Sequence, residues 1–134
     1  MEIVERAPQH LRGASLSAPI GELPLVAPSL WRRVMEFAEA GQVHAELSAE
    51  PGGDVHRITV GVLVDEPGED TVAVPGGRWL HHRHEGDVRG IGDTYARMFE
   101  HADEVGERTT NLKLDVGYLP DGSEQAHDLY LQLG

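Results

Sequence analysis

Two hydrophobic periods alternate along this chain, and their alternation predicts the elements. Between Val88 and Ala102, apolar residues fall at helical spacing: Val88, Ile91, Tyr95, Met98, Phe99 and Ala102 make one stripe, with Arg89, Asp93, Arg97, Glu100 and Asp103 off it. Asp87 is a suitable N-cap for this helix and Gly106 a natural stop. Ahead of it, Arg78 to His84 lacks Gly and Pro and reads as a strand between the turns Pro75-Gly76-Gly77 and Glu85-Gly86-Asp87. A second helical stripe, Leu30, Trp31, Val34, Met35 and Ala38, predicts a helix from Ser29 to Ala40, closed by Gly41. The segment before it holds Pro19, Pro24 and Pro28 and reads as a connection.

Elsewhere the period is two. Glu2 to Ser17 reads as strand interrupted near Pro8. Val43, Ala45 and Leu47 alternate, as do Ile58, Val60, Val62 and Val64, with turn residues Glu50 to Asp54 between them. Thr71 to Val74 is a short strand candidate after an acidic loop. Leu112, Leu114, Val116 and Tyr118 are expected on one strand face, with Asp115 opposite, beside Lys113 and Gly117. A turn at Pro120 to Ser123 leads into a final strand whose Leu129, Leu131 and Leu133 share the inward face.

Strand, helix, strand, strand thus occurs twice. A shift of 64 residues sets Trp31 on Tyr95, Arg33 on Arg97, Val34 on Met98, Met35 on Phe99, Glu36 on Glu100 and Ala38 on Ala102. A repeat near half the chain length suggests duplication, with halves of about 1–66 and 71–134 in one domain spanning 1–134. Each half alone has too little sheet to cover its helix. The expected fold is therefore α+β: two β-α-β-β units sharing one antiparallel sheet, both helices on one face, and a cleft at the seam.

Composition narrows the chemistry. The 134 residues contain no cysteine, which excludes disulfides, thiolate catalysis and cysteine-bound zinc. The opening MEIVERAPQ has no apolar core like that of a secretory signal, and no apolar run reaches membrane-spanning length, so a cytoplasmic protein without a membrane partner is the default. With 23 acids against 11 bases, the net charge of −12 disfavours direct nucleic-acid binding; it serves solubility or attracts cations. No dinucleotide fingerprint, P-loop or nucleophile elbow occurs. His81, His82 and His84 invite a metal reading, but strand alternation puts only His82 and His84 on one face, too few for a closed site, so no metal, haem or other cofactor is expected.

The run VAVPGGRWLHHRHEGDVRGIGDTYARMFEHADEVG resembles the second half of the GyrI-like small-molecule-binding domains, also called AraC-type effector-binding domains. The features that carry the resemblance are Pro75, Gly76 or Gly77, Trp79, His84, Gly86 and the pair Thr94-Tyr95. VERAPQHLRGASLS, HRITVGVLVDE and HDLYLQL look like the family's other strands, so the likeness spans nearly the whole chain. It implies the duplicated fold above, with a pocket where the halves meet that takes bulky hydrophobic, often cationic, compounds. Many members are fused to DNA-binding segments in multidrug-responsive transcription regulators; the first strand here begins almost at Met1, so a stand-alone domain is expected, working as a regulator only through a separate DNA-binding partner. Some stand-alone members are hydrolases of cyclopropane-bearing genotoxins. The family's pocket Glu, followed two residues later by Tyr, is matched here by LKLDVGY: Asp115 stands for the Glu, Gly117 for the Tyr, and Tyr118 comes one place late.

The candidate ligand-binding residues are accordingly Asp115, Trp79, Tyr95, Trp31, Tyr118, Met98 and His84. Asp115 is either a cleft carboxylate that pairs with a cation or an exposed acid paired across the strand with Lys or Arg. Trp31, Trp79, Tyr95 and Tyr118 are either an aromatic lining or ordinary core, and Met35 and Met98 fit either. His84 is expected to pack or hydrogen-bond near the cleft. Binding of a hydrophobic or cationic molecule, for sensing or sequestration, is the leading reading; hydrolysis using a pocket acid, with catalytic residues undefined, and a protein-interaction or inhibitor module directed at a target protein are the alternatives.

Overall fold

A computed structural model describes residues 1–36, 38–39, 41–52, 54–119 and 124–134. Its strands are β1 (Glu2–Arg6), β2 (Gln9–Pro19), β3 (His44–Gly52), β4 (Val55–Val64), β5 (Thr71–Val74), β6 (Gly77–Glu85), β7 (Thr109–Tyr118) and β8 (Ala126–Leu133). Its helices are α1 (Leu23–Met35) and α2 (Ile91–Glu104). All eight strands form one antiparallel sheet in the order β1-β6-β8-β7-β3-β4-β2-β5. That order is symmetric about the β7–β3 seam: β7 answers to β3, β8 to β4, β6 to β2 and β1 to β5. The edge strands are exchanged, since β1 pairs with β6 of the second half and β5 with β2 of the first. The pattern is α+β with both helices on one sheet, as the repeat predicts.

The register shows which side chains share the helix face. Leu80 lies beside Leu131, which neighbours Lys113, then Ser48, then Ile58 and Leu16. A parallel row runs from His82 through Leu129, Asp115 and Glu46 to Val60 and Ala14. Helix α2 packs Met98 and Ala102 on Leu80, Leu129, Leu131 and Leu133, while α1 packs Leu30 on Ile58 and Val60. Each fully buried leucine in these clusters contributes roughly 1.5–3 kcal/mol. The two central strands lie between the helices and carry polar residues on that face: Glu46 and Ser48 on β3, Lys113 and Asp115 on β7. Their opposite face is apolar. Ala45, Leu47 and Leu114 pack there with Leu11, Val74 and Trp79, which come from both ends of the strand order, so the sheet curls around this second core.

Local signals explain most boundaries and two corrections. The helix expected at Ser29 starts six residues earlier, at Leu23. Pro24 stands in the first helical turn, where its missing N–H has no partner to lose, and Pro28 is accommodated one turn on. Leu23 and Ala27 extend the stripe of Leu30, Trp31 and Val34 at helical spacing, and their packing on the sheet outweighs the prolines. The helix also ends earlier than expected, at Met35; residues 37 and 40 of the expected span lie outside the described residues, as do Gly53 and the expected turn at 120–123. Helix α2 stops as predicted: Gly106 has φ 78°, its N–H bonds Asp103 O and the Glu107 N–H bonds Ala102 O. Asp87 caps the 3₁₀ turn Val88–Gly90 that precedes α2, receiving the Arg89 N–H at 2.8 Å, while Gly90 occupies the N-cap of α2 itself.

The second correction concerns Tyr118. Ala45 pairs with Val116, but the next pair is His44 with Tyr118, so Gly117 is an extra residue in β7. It adopts φ 126°, open to glycine and strained for other residues. The bulge turns Tyr118 off the face of Leu114 and Val116 onto that of Asp115. A Gly117→Ala substitution would place a methyl 3.2 Å from Ala126 O at this positive φ. It is expected to lower stability by roughly 1–3 kcal/mol, read as a reduced urea midpoint, and to move Tyr118 in a two-dimensional NMR spectrum; an unchanged midpoint with an unmoved Tyr118 would refute this account of the bulge.

Candidate functional site

The helices lean over the β3–β7 seam without meeting across it, and the space between them is a cavity of about 870 Å³. Trp31 enters from α1 and Tyr95 from α2, the two positions that the 64-residue shift superposes. Leu23 and Ala27 of α1 and Ile91 of α2 widen the apolar walls. The sheet supplies the floor: Glu46, Ser48, Lys113, Asp115 and the bulge-turned Tyr118. Glu124 closes one end.

Asp115 is buried, 4% exposed, and its partners are aromatic. The His127 Nδ1–H donates to Asp115 Oδ1 at 2.7 Å, and the Tyr118 hydroxyl donates to Oδ2 at 3.0 Å. Tyr118 in turn lies against the Trp31 indole, centroids 4.2 Å apart, and meets the His127 ring edge-on at 4.7 Å. His127 is itself buried; the charge-assisted bond to Asp115 raises its pKa against the opposing effect of burial. Among the described residues its Nε2 has no hydrogen-bond partner, and it stands 3.8 Å from Glu124 Oε1. The expected alternative of an exposed Asp115 paired with Lys or Arg does not occur.

Glu46 is directly opposite Asp115 across the two strands, where like charges repel. Burial first, and Asp115 second, push its pKa up to about 7, with Trp31, Tyr118 and Lys113 offsetting part of the rise. The Tyr118 hydroxyl is 3.5 Å from Glu46 Oε2, so a protonated Glu46 completes a chain from Glu46 through Tyr118 to Asp115 and His127. The Tyr95 hydroxyl is buried with no hydrogen-bond partner among the described residues, and burial together with the nearby Asp115 and Glu46 raises its pKa. It remains a donor for whatever enters the cavity.

The structure thus brings together Trp31, Tyr95, Asp115 and Tyr118, and sets three other candidates elsewhere. Trp79 faces the opposite side of the sheet, fully buried, with its indole N–H on Pro75 O at 3.3 Å. One step of strand parity decides this: Leu80, not Trp79, points toward the helices. Met98 is fully buried under α2, filling the contact with β6 and β8. His84 ties the start of α2 to the sheet through Thr94 Oγ1 at 2.8 Å and Asp87 O at 2.9 Å, and does not line the cavity. Of the histidine run, His81 stacks on Tyr130 on the far face and pairs with Asp128 at 2.9 Å. Among the described residues no group of three or more His, Cys, Asp or Glu could hold a metal ion, and no helix is long and apolar enough to cross a membrane. Sequence reasoning missed Glu46, Glu124 and His127 as site residues. No local signal marked them: Glu46 stands at a polar position of the β3 alternation, between Ala45 and Leu47, as any solvent-facing strand residue would.

Glu46, half-buried on the cavity floor, carries a pH signature. Its pKa is higher in the folded state than in the unfolded one, so its contribution to stability is present below pH 4.5 and is lost as pH rises through about 7. Replacing it by Gln removes the cost of ionising it. The Glu46→Gln variant is therefore expected to match the parent near pH 4.5 and to exceed it above pH 7 by up to about 3 kcal/mol in chemical denaturation. Parallel stability curves across that range would refute the assignment.

No protein-family model and no curated protein matches this chain. Solved structures do. SAV2435 bound to tetraphenylphosphonium matches with a TM-score of 0.73 and 7% identity, over 99% of this chain and 93% of that one. A putative bacterial transcription regulation protein from Staphylococcus aureus MU50 matches with a TM-score of 0.67 and 7% identity, over 98% and 96%. An integron cassette protein from the mobile metagenome of Vibrio cholerae matches with a TM-score of 0.66 and 9% identity, over 99% and 95%. At identities of 7–9% this likeness speaks for architecture alone: one sheet built from two halves that exchange their edge strands, with two helices on one face, which is the fold that the sequence resemblance implies.

Proposed function

We propose that this protein binds a small hydrophobic cation in the cavity over the β3–β7 seam, as a sensor or a sequestering protein of the multidrug type. The observation that carries this reading is the pairing of Glu46 and Asp115 on the floor beneath Trp31, Tyr95 and Tyr118. Carboxylates set among apolar walls attract a cation more strongly than they would in water, and aromatic faces add cation–π attraction. A permanent cation with apolar arms satisfies both. The tetraphenylphosphonium bound by SAV2435 is of this class.

A hydrolytic role has one observation in its favour. Glu46, held near neutrality, is suited to hand a proton to a strained electrophile such as a cyclopropane. Turnover of such a compound, followed by mass spectrometry and abolished in Glu46→Gln, would favour it over binding alone.

Tetraphenylphosphonium and the uncharged triphenylphosphine oxide separate charge from shape. By calorimetry at pH 7.5, the cation is expected to bind tighter than the neutral compound. Asp115→Asn should weaken the cation by about 1–3 kcal/mol and change the neutral compound little. Because Asp115 also holds His127 and Tyr118, the same variant is expected to melt earlier than the parent. Cation affinity should fall between pH 8 and pH 6 as Glu46 takes up a proton. Equal affinity for the two compounds in the parent would remove the basis of the reading.

A further inference from the structure

Cations as well as carboxylates line the cavity. Arg89 is already engaged: its Nε and one terminal nitrogen donate to Asp87 Oδ2 at 3.1 and 2.7 Å. Lys113 is different. It rises from the floor on the same face as Asp115, two residues before it, and beside Ser48. No carboxylate among the described residues lies within ion-pair distance of its ammonium. Instead, Nζ stands 5.5 Å from the centroid of the Tyr95 ring, within reach of its π face. The protein's own cation thus occupies one of the aromatic surfaces that a ligand cation would use. Glu46 feels the same ammonium, so both signs of charge act within one cavity.

From this placement we infer that Lys113 sets ligand class: the cavity selects amphoteric ligands, whose cationic, apolar part lies over Glu46 and Asp115 and whose anionic group pairs with Lys113. The inference rests on the cation-binding reading above and refines it. A simple cation enters beside Lys113 and meets a like charge that nothing on the ligand offsets. A ligand with an anionic group within reach of Nζ turns that repulsion into an ion pair, in surroundings where burial strengthens it. The anion also draws the ammonium off Tyr95 and frees that ring for the ligand's apolar arms. Asp115 makes no ion pair with Lys113; its two carboxylate oxygens accept from His127 and Tyr118.

The test compares two probes sharing one apolar cation: tetraphenylphosphonium, and (4-carboxybutyl)triphenylphosphonium, which carries a carboxylate at neutral pH. Affinities are measured by calorimetry at pH 7.5 for the parent, Lys113→Met and Lys113→Arg. The parent should bind the carboxylated probe the tighter. Lys113→Met should tighten tetraphenylphosphonium and weaken the carboxylated probe, moving their ratio at least tenfold, while Lys113→Arg keeps the parent's order. A ratio compares probes on the same folded protein, so a change in stability cancels; if Lys113→Met does not fold, Lys113→Gln replaces it. Binding of both probes with a ratio indifferent to residue 113 overturns this inference and leaves the cation reading standing. Failure of both probes to bind the parent and every variant overturns the cation reading, and this inference with it.

Discussion

A helix is about 10 Å across and neighbouring strands lie about 4.8 Å apart, so two helices cannot cover eight strands. Each helix covers the strands of its own half, β2 and β4 under α1, β6 and β8 under α2. The central pair, β3 and β7, is left uncovered on that side. Its other face is fully committed, because Ala45, Leu47 and Leu114 complete the core around Trp79 and Leu11. A strand pair in that position must be apolar behind and can be polar in front. Glu46, Ser48, Lys113 and Asp115 occupy the front. The cavity is therefore a consequence of the duplicated architecture, and its floor is the one part of the helix face free to vary in charge.

Placing carboxylates there carries a physical demand. Glu46 and Asp115 face each other across the seam with apolar walls above them, so each needs compensation. Asp115 receives it from His127, whose buried ring meets Tyr118 edge-on, and from Tyr118 itself. Tyr118 is available only because Gly117 inserts an extra residue into β7. Trp31 and Tyr118 also bond Glu46, but they offset only part of the rise caused by burial and by Asp115, so its pKa is pushed up to about 7. One acid of the pair is thus a fixed, hydrogen-bonded feature and the other a group that changes state near neutral pH. That division makes the floor responsive without making it unstable.

Several residues with the right chemistry for a site turn out to be structural because of parity and timing along their elements. Trp79 is one residue off the helix-facing set of β6 and so packs in the second core. His84 is on the helix face but at the strand end, where it meets Thr94 and fastens α2. Met98 is beneath its helix, a turn away from the seam. Trp31 and Tyr95 differ from these in standing on the sides of the helices that overlook the gap.

Element types, the two-half organisation and the helix equivalence of Trp31 and Tyr95 were determined by the sequence itself, since hydrophobic period and turn residues are local properties that survive without knowledge of partners. Asp115 was singled out as a candidate only through a resemblance of motif. The start of α1 was not legible, because Pro24 and Pro28 signal a connection locally and only the burial of Leu23 and Ala27 against the sheet overrides them. The exchange of β1 and β5 between halves depends on which distant strand each edge meets, which no local pattern encodes. The company of Asp115 was likewise decided in three dimensions. His127 is twelve residues away on a neighbouring strand, Glu46 lies across the seam from it, and Tyr118 reaches it because strand pairing makes Gly117 a bulge. Register is a relation between strands, and the chemistry of this floor is set by register.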